Sequence, residues 1–161
     1  MPGGLAGTVA ALEDRPTRGF LAETGAQAQW VTSVCTGSLL LGAAGLLRGY
    51  EATSHWYVRD LLEFTGATVT TGRVVEDRNR VTGGGVTAGL DFALRLAARL
   101  RGEDIARTIQ LVLEYDPKPP FDSGSPESAG AEISDAVLER RSPVINRARE
   151  SILGLVNAGL L

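Results

Sequence analysis

This chain of 161 residues holds one cysteine and one histidine, and both stand where chemistry is possible. Cys35 follows the β-branched and aromatic run Trp30–Val34 and precedes Thr36, Gly37, Ser38 and the apolar stretch LLLGAAGLL. A strand that runs straight into a helix must turn sharply, and the turn projects the side chain at the junction. Unpaired N–H groups and the macrodipole at a helix start favour a thiolate over a thiol there. The small residues after Cys35 leave room for a reactant and offer N–H donors. The pattern is the cysteine counterpart of a nucleophile elbow. A lone cysteine is more often a small buried hydrophobe, but the strand-to-helix position favours the nucleophile.

His55 ends the next β-like run, Glu51–Trp56, so in a parallel sheet it would reach the same edge as Cys35, where ligands bind. Trp56 beside it makes a packed, hydrogen-bonded histidine the slightly favoured alternative to a Cys–His pair. Gly83–Ala88 (GGGVTA) fits G-x-G-x-x-A after a strand. The dinucleotide reading fails, because the helix that follows leads to Gly102 and another helix rather than to a strand. Close backbone approach beside an active site, with Gly84 as a candidate, is the better account of these glycines. Asp91 and Glu114 read as single acids on solvated helix faces. No P-loop, paired-carboxylate or metal-ligand pattern occurs, so no cofactor and no metal is expected.

The elements around these residues alternate. Leu5–Gln29 predicts one or two helices interrupted at Pro16. Trp30–Val34 is a buried strand, and a helix of about twelve residues after Cys35 closes near Gly45 and Gly49. A short strand over Glu51–Trp56 leads to an amphipathic helix, Tyr57–Phe64. Strands follow at Ala67–Thr71, Arg73–Glu76 and Arg80–Thr82, the last two forming a hairpin. Helices are expected over Val86–Leu100 and Glu103–Leu113. Asp116–Pro126 must be an extended loop, and Glu127–Leu161 is helical with a break at Pro143. Alternating strands and helices predict α/β with a largely parallel sheet, in one domain over residues 1–161.

Composition narrows the class. Hydrophobic residues make up 43% and charged residues 22%, as in a packed globular chain. The formal net charge of −3 argues against binding a nucleic-acid backbone. A single cysteine makes no internal disulfide, which suits a reducing cytosol. The longest uncharged, apolar-rich run, Ser38–Leu47, is roughly half a membrane span, and the N-terminus lacks the order of a signal peptide. A cytoplasmic protein is expected, with no membrane and no nucleic-acid partner.

The segments VTSVCTGSLLLGAAGLLRGYEATSHW, VTGGGVTAGLDFALRLA and LEYDPKPPFDSGSPE together resemble the ThiJ/PfpI branch of the class I glutamine amidotransferase-like superfamily, nearest to its isocyanide hydratases. The likeness covers nearly the whole chain. The Cys-Thr pair matters, since protease-like members carry histidine after the cysteine. The resemblance implies a flavodoxin-like three-layer α/β sandwich and hydration of an organic isocyanide to an N-substituted formamide. It makes Cys35 the nucleophile and Thr36 its active-site neighbour. The backbone N–H of Gly4, with that of Thr36, would form an oxyanion-hole-like pocket, with Gly3 and His55 beside it. It does not make His55 a base.

Members of that branch carry further strands and a helix before the Pro-Gly-Gly loop, and an acidic residue there that no position in this sequence matches. The expected fold is therefore incomplete on its N-terminal side. An open sheet edge and uncovered apolar surface on Ser38–Leu47 are then expected, which a longer native gene product best accounts for and a homodimer covering the open edge accounts for second. Two other functions stay open: a ligand-sensing module like those of AraC-type regulators, and a redox or carbonyl-stress protein. An inactive, truncated family member is a third possibility.

Overall fold

A computed structural model describes all of residues 1–161. The chain starts with helix α1 (Leu5–Glu13), which buries Thr8, Val9 and Leu12, three positions on one helical face. Asp14 ends it and caps α2 (Arg15–Gln27) by accepting the Thr17 N–H at 2.9 Å. Pro16 lies in the first turn of α2, where its missing N–H costs nothing, so the expected interruption is a helix start.

Strand β1 (Val31–Val34) pairs in parallel with β5 (Arg80–Gly83), with Val31 opposite Arg80 and Val34 opposite Gly83. Strand β4 (Val74–Asp77) joins β5 antiparallel through a turn in which Arg78 has φ +54°. This completes a three-stranded sheet of order β1–β5–β4. The short strands β2 (Glu51–Ala52) and β3 (Thr68–Val69) form a separate parallel pair, joined by a 3₁₀ helix over Trp56–Thr65. The outer edge of β1 is partly occupied by the chain's own first residue. The Met1 ammonium donates to Thr32 O at 2.6 Å, and Met1 O accepts the Val34 N–H at 3.1 Å.

Helix α3 (Gly37–Ala43) is seven residues long, not the twelve its apolar run suggests. It stops because Gly45 takes φ +75° and closes a Schellman pair. The Gly45 N–H meets Gly42 O at 2.8 Å and the Leu46 N–H meets Leu41 O at 2.9 Å. Every residue of α3 is buried, as are Leu46 and Leu47. The neighbours that cover it are α1, α2, β1 and the 3₁₀ helix. The uncovered apolar surface expected on Ser38–Leu47 is therefore absent; the chain's own helices supply the cover.

Helices α4 (Ala88–Arg101) and α5 (Glu103–Val112) form a hairpin, and α4 lies against β1, β4 and β5. Asp116–Ser125 is irregular, as expected, and the short α6 (Pro126–Ala129) follows behind a Ser125 capping box. Helix α7 (Ala131–Asn157) runs without a break through Pro143. The carbonyl that proline leaves without a backbone donor is Glu139 O, and the Ser142 hydroxyl reaches it at 2.8 Å. A core of 18 buried residues joins α1, α3, the 3₁₀ helix and α7. No helix is long and apolar enough to cross a membrane.

Candidate active site

Cys35 occupies the junction between β1 and α3 with φ +57°, a conformation that costs a non-glycine residue energy. Four hydrogen bonds hold it there. Its N–H donates to Gly83 O at 3.0 Å and Gly84 O at 2.7 Å, and its carbonyl accepts the hydroxyls of Ser54 at 3.0 Å and Ser38 at 3.3 Å. The strained turn points the half-exposed thiol into a cavity of about 840 Å³ lined mostly by apolar side chains. The elbow expected from sequence is present.

The Pro-Gly-Gly loop packs directly on the elbow. A Cβ on Gly3 would stand 2.7 Å from Cys35 Cβ and 2.8 Å from Thr36 N, so no larger residue fits without displacing the cysteine. Gly4 has φ +124°, a region that suits glycine. Its N–H donates to Thr36 Oγ1 at 3.0 Å, and Thr36 Oγ1 shares a 2.8 Å hydrogen bond with Thr8 Oγ1. Here the expectation needs correction: the Gly4 N–H is engaged by the Thr36 side chain rather than facing the cavity unpaired. It becomes a free donor only when Thr36 Oγ1 turns away. The Thr36 N–H finds no acceptor within the chain, and Thr36 itself is fully buried.

Gly84 also differs from expectation. Its N–H is taken by Arg73 O at 2.9 Å, while its carbonyl holds the Cys35 N–H. It positions the elbow and lines a neighbouring, more polar cavity of about 680 Å³, not the one that holds the thiol.

His55 lies in the same cavity as Cys35, as anticipated, although it precedes the 3₁₀ helix instead of ending a strand. Its ring lies against that of Tyr57, with centroids 3.8 Å apart. The expected hydrogen-bonded histidine is not found, because Nδ1 is buried without a partner. Burial, with the charge of Arg141 second, pushes His55 down to about 4, so it is neutral at physiological pH. Burial, and then proximity to Cys35, raises the Tyr57 phenol. Tyr57 and Arg141 escaped the sequence reading. Tyr57 could have been found two residues after His55, but nothing local marks Arg141. Asp91 lies partly exposed on α4, where it accepts from Arg73 Nε and from the Tyr115 hydroxyl. Glu114 lies beyond α5 with φ +51°.

An α/β scaffold with a parallel-containing sheet, carrying a thiol on a strained strand-to-helix turn, defines a class of cysteine-elbow proteins. Within that class the chain belongs to the DJ-1/PfpI family, whose pattern matches residues 1–99. It is 53% identical to the isonitrile hydratase of Pseudomonas putida over 150 residues, 93% of this chain and 65% of that protein. A crystal structure of a ThiJ/PfpI family protein from Pseudomonas syringae superimposes with TM-score 0.90 and 52% identity, covering 93% of this chain and 62% of that one. The HTH-type transcriptional regulator GbdR of Pseudomonas aeruginosa is 34% identical over 99 residues, 60% of this chain and 27% of the regulator. The chain thus spans slightly under two thirds of the length of the first two relatives.

Proposed function

We propose that this chain carries an isocyanide hydratase site that converts an organic isocyanide, R–NC, and water to the formamide R–NH–CHO, with Cys35 as nucleophile. The carrying observation is the Cys35 thiol, held at φ +57° over a mostly apolar cavity, in a chain 53% identical to an isonitrile hydratase. The isocyanide carbon is electrophilic and bears no leaving group. The Cys35 thiolate adds to it, the carbon takes a proton from water, and a thioimidate, R–N=CH–S–Cys35, results. Water then adds to the same carbon and the nitrogen gains a proton. The hydroxide left from the first protonation takes the adduct's hydroxyl proton, and the adduct collapses to the formamide as the C=O bond forms, the C–S bond breaks and the thiolate returns. In this reading the Thr36 N–H, which has no acceptor within the chain, polarises the adduct, joined by the Gly4 N–H once Thr36 Oγ1 releases it. His55, neutral and lacking a proton partner at Nδ1, serves as a wall of the site rather than as its base.

The deciding measurement is formamide production from cyclohexyl isocyanide by the wild-type chain and by Cys35→Ser. Wild-type turnover with loss of nearly all activity in Cys35→Ser is expected, since a hydroxyl at its normal pKa is a far weaker nucleophile. Formamide release by Cys35→Ser at near the parental rate sinks covalent catalysis at this residue.

A second reading follows from the likeness to GbdR: a ligand-sensing module in which the same cavity binds without turnover. It predicts that an isocyanide or formamide raises the melting temperature while no product accumulates. A glyoxal assay on the same preparation addresses the third, carbonyl-stress reading. We further propose that the chain works in the cytoplasm as a homodimer, with no cofactor.

A further inference from the structure

The cavity that holds Cys35 has one charged wall. Arg141, an exposed residue of α7, lines it together with Gly3, Gly4 and Leu5, and no Asp or Glu lines it at all. Its guanidinium makes no ion pair and no hydrogen bond with the rest of the chain, whereas Arg147 and Arg149 on the same helix are both paired, with Glu13 and Asp60. The residues one helical turn to either side, Val137, Leu138, Val144 and Ile145, offer no carboxylate. The charge of Arg141 nevertheless reaches into the site, where it acts on both the His55 and Tyr57 rings. An unpaired guanidinium over an otherwise neutral, mostly apolar cavity favours an anion, and its flat fork suits a carboxylate.

We propose that Arg141 is a specificity-determining residue that holds a carboxylate, or a comparable anion, on the molecule attacked by Cys35. Resting on the hydratase reading, the preferred substrate class is an isocyanide whose substituent carries that anion, with isocyanoacetate as the smallest example. The apolar lining takes the carbon skeleton.

The test uses the fact that Cys35 is the only thiol. Alkylation by iodoacetate and by iodoacetamide forms the same C–S bond and expels the same iodide, but only iodoacetate carries a charge. The ratio of the two rates at Cys35 therefore reads the Arg141 charge without any need for turnover. Arg141→Gln should lower the iodoacetate-to-iodoacetamide ratio about fivefold, roughly what one partly solvated charge pair supplies. Arg141→Lys should keep most of the ratio, and Arg140→Gln, a control outside the cavity, should leave it within about twofold. In the wild-type chain the ratio should fall as salt rises towards ~1 M, where the screening length is about 3 Å; this keeps the inference testable if a variant does not fold. An unchanged ratio in Arg141→Gln, an equal loss in Arg140→Gln, or a salt-insensitive wild type overturns it. Turnover of isocyanoacetate and cyclohexyl isocyanide is measured beside it. If the ratio responds but neither isocyanide is hydrated, Arg141 stands and the hydratase reading falls. If cyclohexyl isocyanide is hydrated and the ratio does not respond, the reverse holds.

Discussion

At the scale of single residues, the site is governed by how little room surrounds the elbow. Gly3 is the tightest point, because the Cβ of an alanine would stand 2.7 Å from Cys35 Cβ and 3.0 Å from the Val34 carbonyl. Backbone atoms on both sides leave it nowhere to go. Gly3→Ala should destabilise the chain by about 1–3 kcal/mol, the usual cost of overpacking, and should slow alkylation of Cys35 by displacing the thiol. Thermal melting together with iodoacetamide kinetics checks both; a variant that melts and reacts like wild type would show that the loop is looser than its packing implies. His55 gives a second prediction with a defined pH window. Its folded pKa, about 4, lies below the ordinary value of 6.5, so between those values the unfolded chain binds a proton that the folded chain refuses. The His55 contribution to stability should be fully present above pH ~6.5 and fall as pH drops towards 4. The partly exposed ring is screened, which reduces the effect to about 1–2 kcal/mol. Urea midpoints between pH 5 and 7.5, taken as the difference between wild type and His55→Asn, isolate it from the buried Met1 ammonium, because this is the only histidine and the carboxylates titrate mostly lower. In His55→Asn the part of the slope below pH ~6.5 should disappear.

At the scale of elements, what was legible in the sequence was what local pattern decides. Strand β1, the elbow and the β4–β5 hairpin all appear where β-branched runs and turn residues placed them. Cys35 and Thr36 were legible for the same reason, since a strand that meets a helix is a local event. Gly3 and Gly4 came from family resemblance alone, because their role depends on a loop folding back over thirty residues of intervening chain. Arg141 was invisible, since packing of α7 on α1 and on the 3₁₀ helix brings it to the cavity. The Pro143 break failed because one serine supplies the missing donor, a compensation that proline rules do not weigh. The length of α3 failed because nine apolar residues look like one helix, whereas Gly45 ends it by turning left-handed. Gly45→Ala tests that directly. No atom lies within 4 Å of the position an added Cβ would take, so the whole cost is backbone conformation. About 1 kcal/mol and a fall of roughly 2–4 °C in Tm are expected, with Cys35 alkylation unchanged. A variant as stable as wild type would mean the Schellman turn does not hold the end of α3.

At the scale of the whole molecule, the two sides of the main sheet are covered unequally. On one side α1, α3, the 3₁₀ helix and α7 close over the 18-residue core. On the other, the α4–α5 hairpin buries little: α4 contributes Ala88 and α5 contributes Ala106 as their buried residues. Leu111 and Val112 are 81% and 80% exposed, and Ile105, Ile109 and Leu113 are also in the open. A cluster of this kind is costly in water, and at ~25 cal/mol per Å² burial of a few hundred Å² of it would return several kcal/mol per subunit. The homodimer proposed above therefore has its best-supported contact on α5. This replaces the uncovered face expected on Ser38–Leu47, which the chain covers by itself. Sedimentation across a range of concentrations should give a species near twice 16.9 kDa. The double change Leu111→Glu and Val112→Glu should shift it to monomer, because two carboxylates facing their own copies repel and resist desolvation. Cys35 lies on the opposite end of the fold's logic, at the junction of β1 and α3, so its alkylation rate should not move with that shift. A wild-type chain that sediments as a monomer at every concentration removes the dimer, and a double variant that remains dimeric moves the interface away from α5.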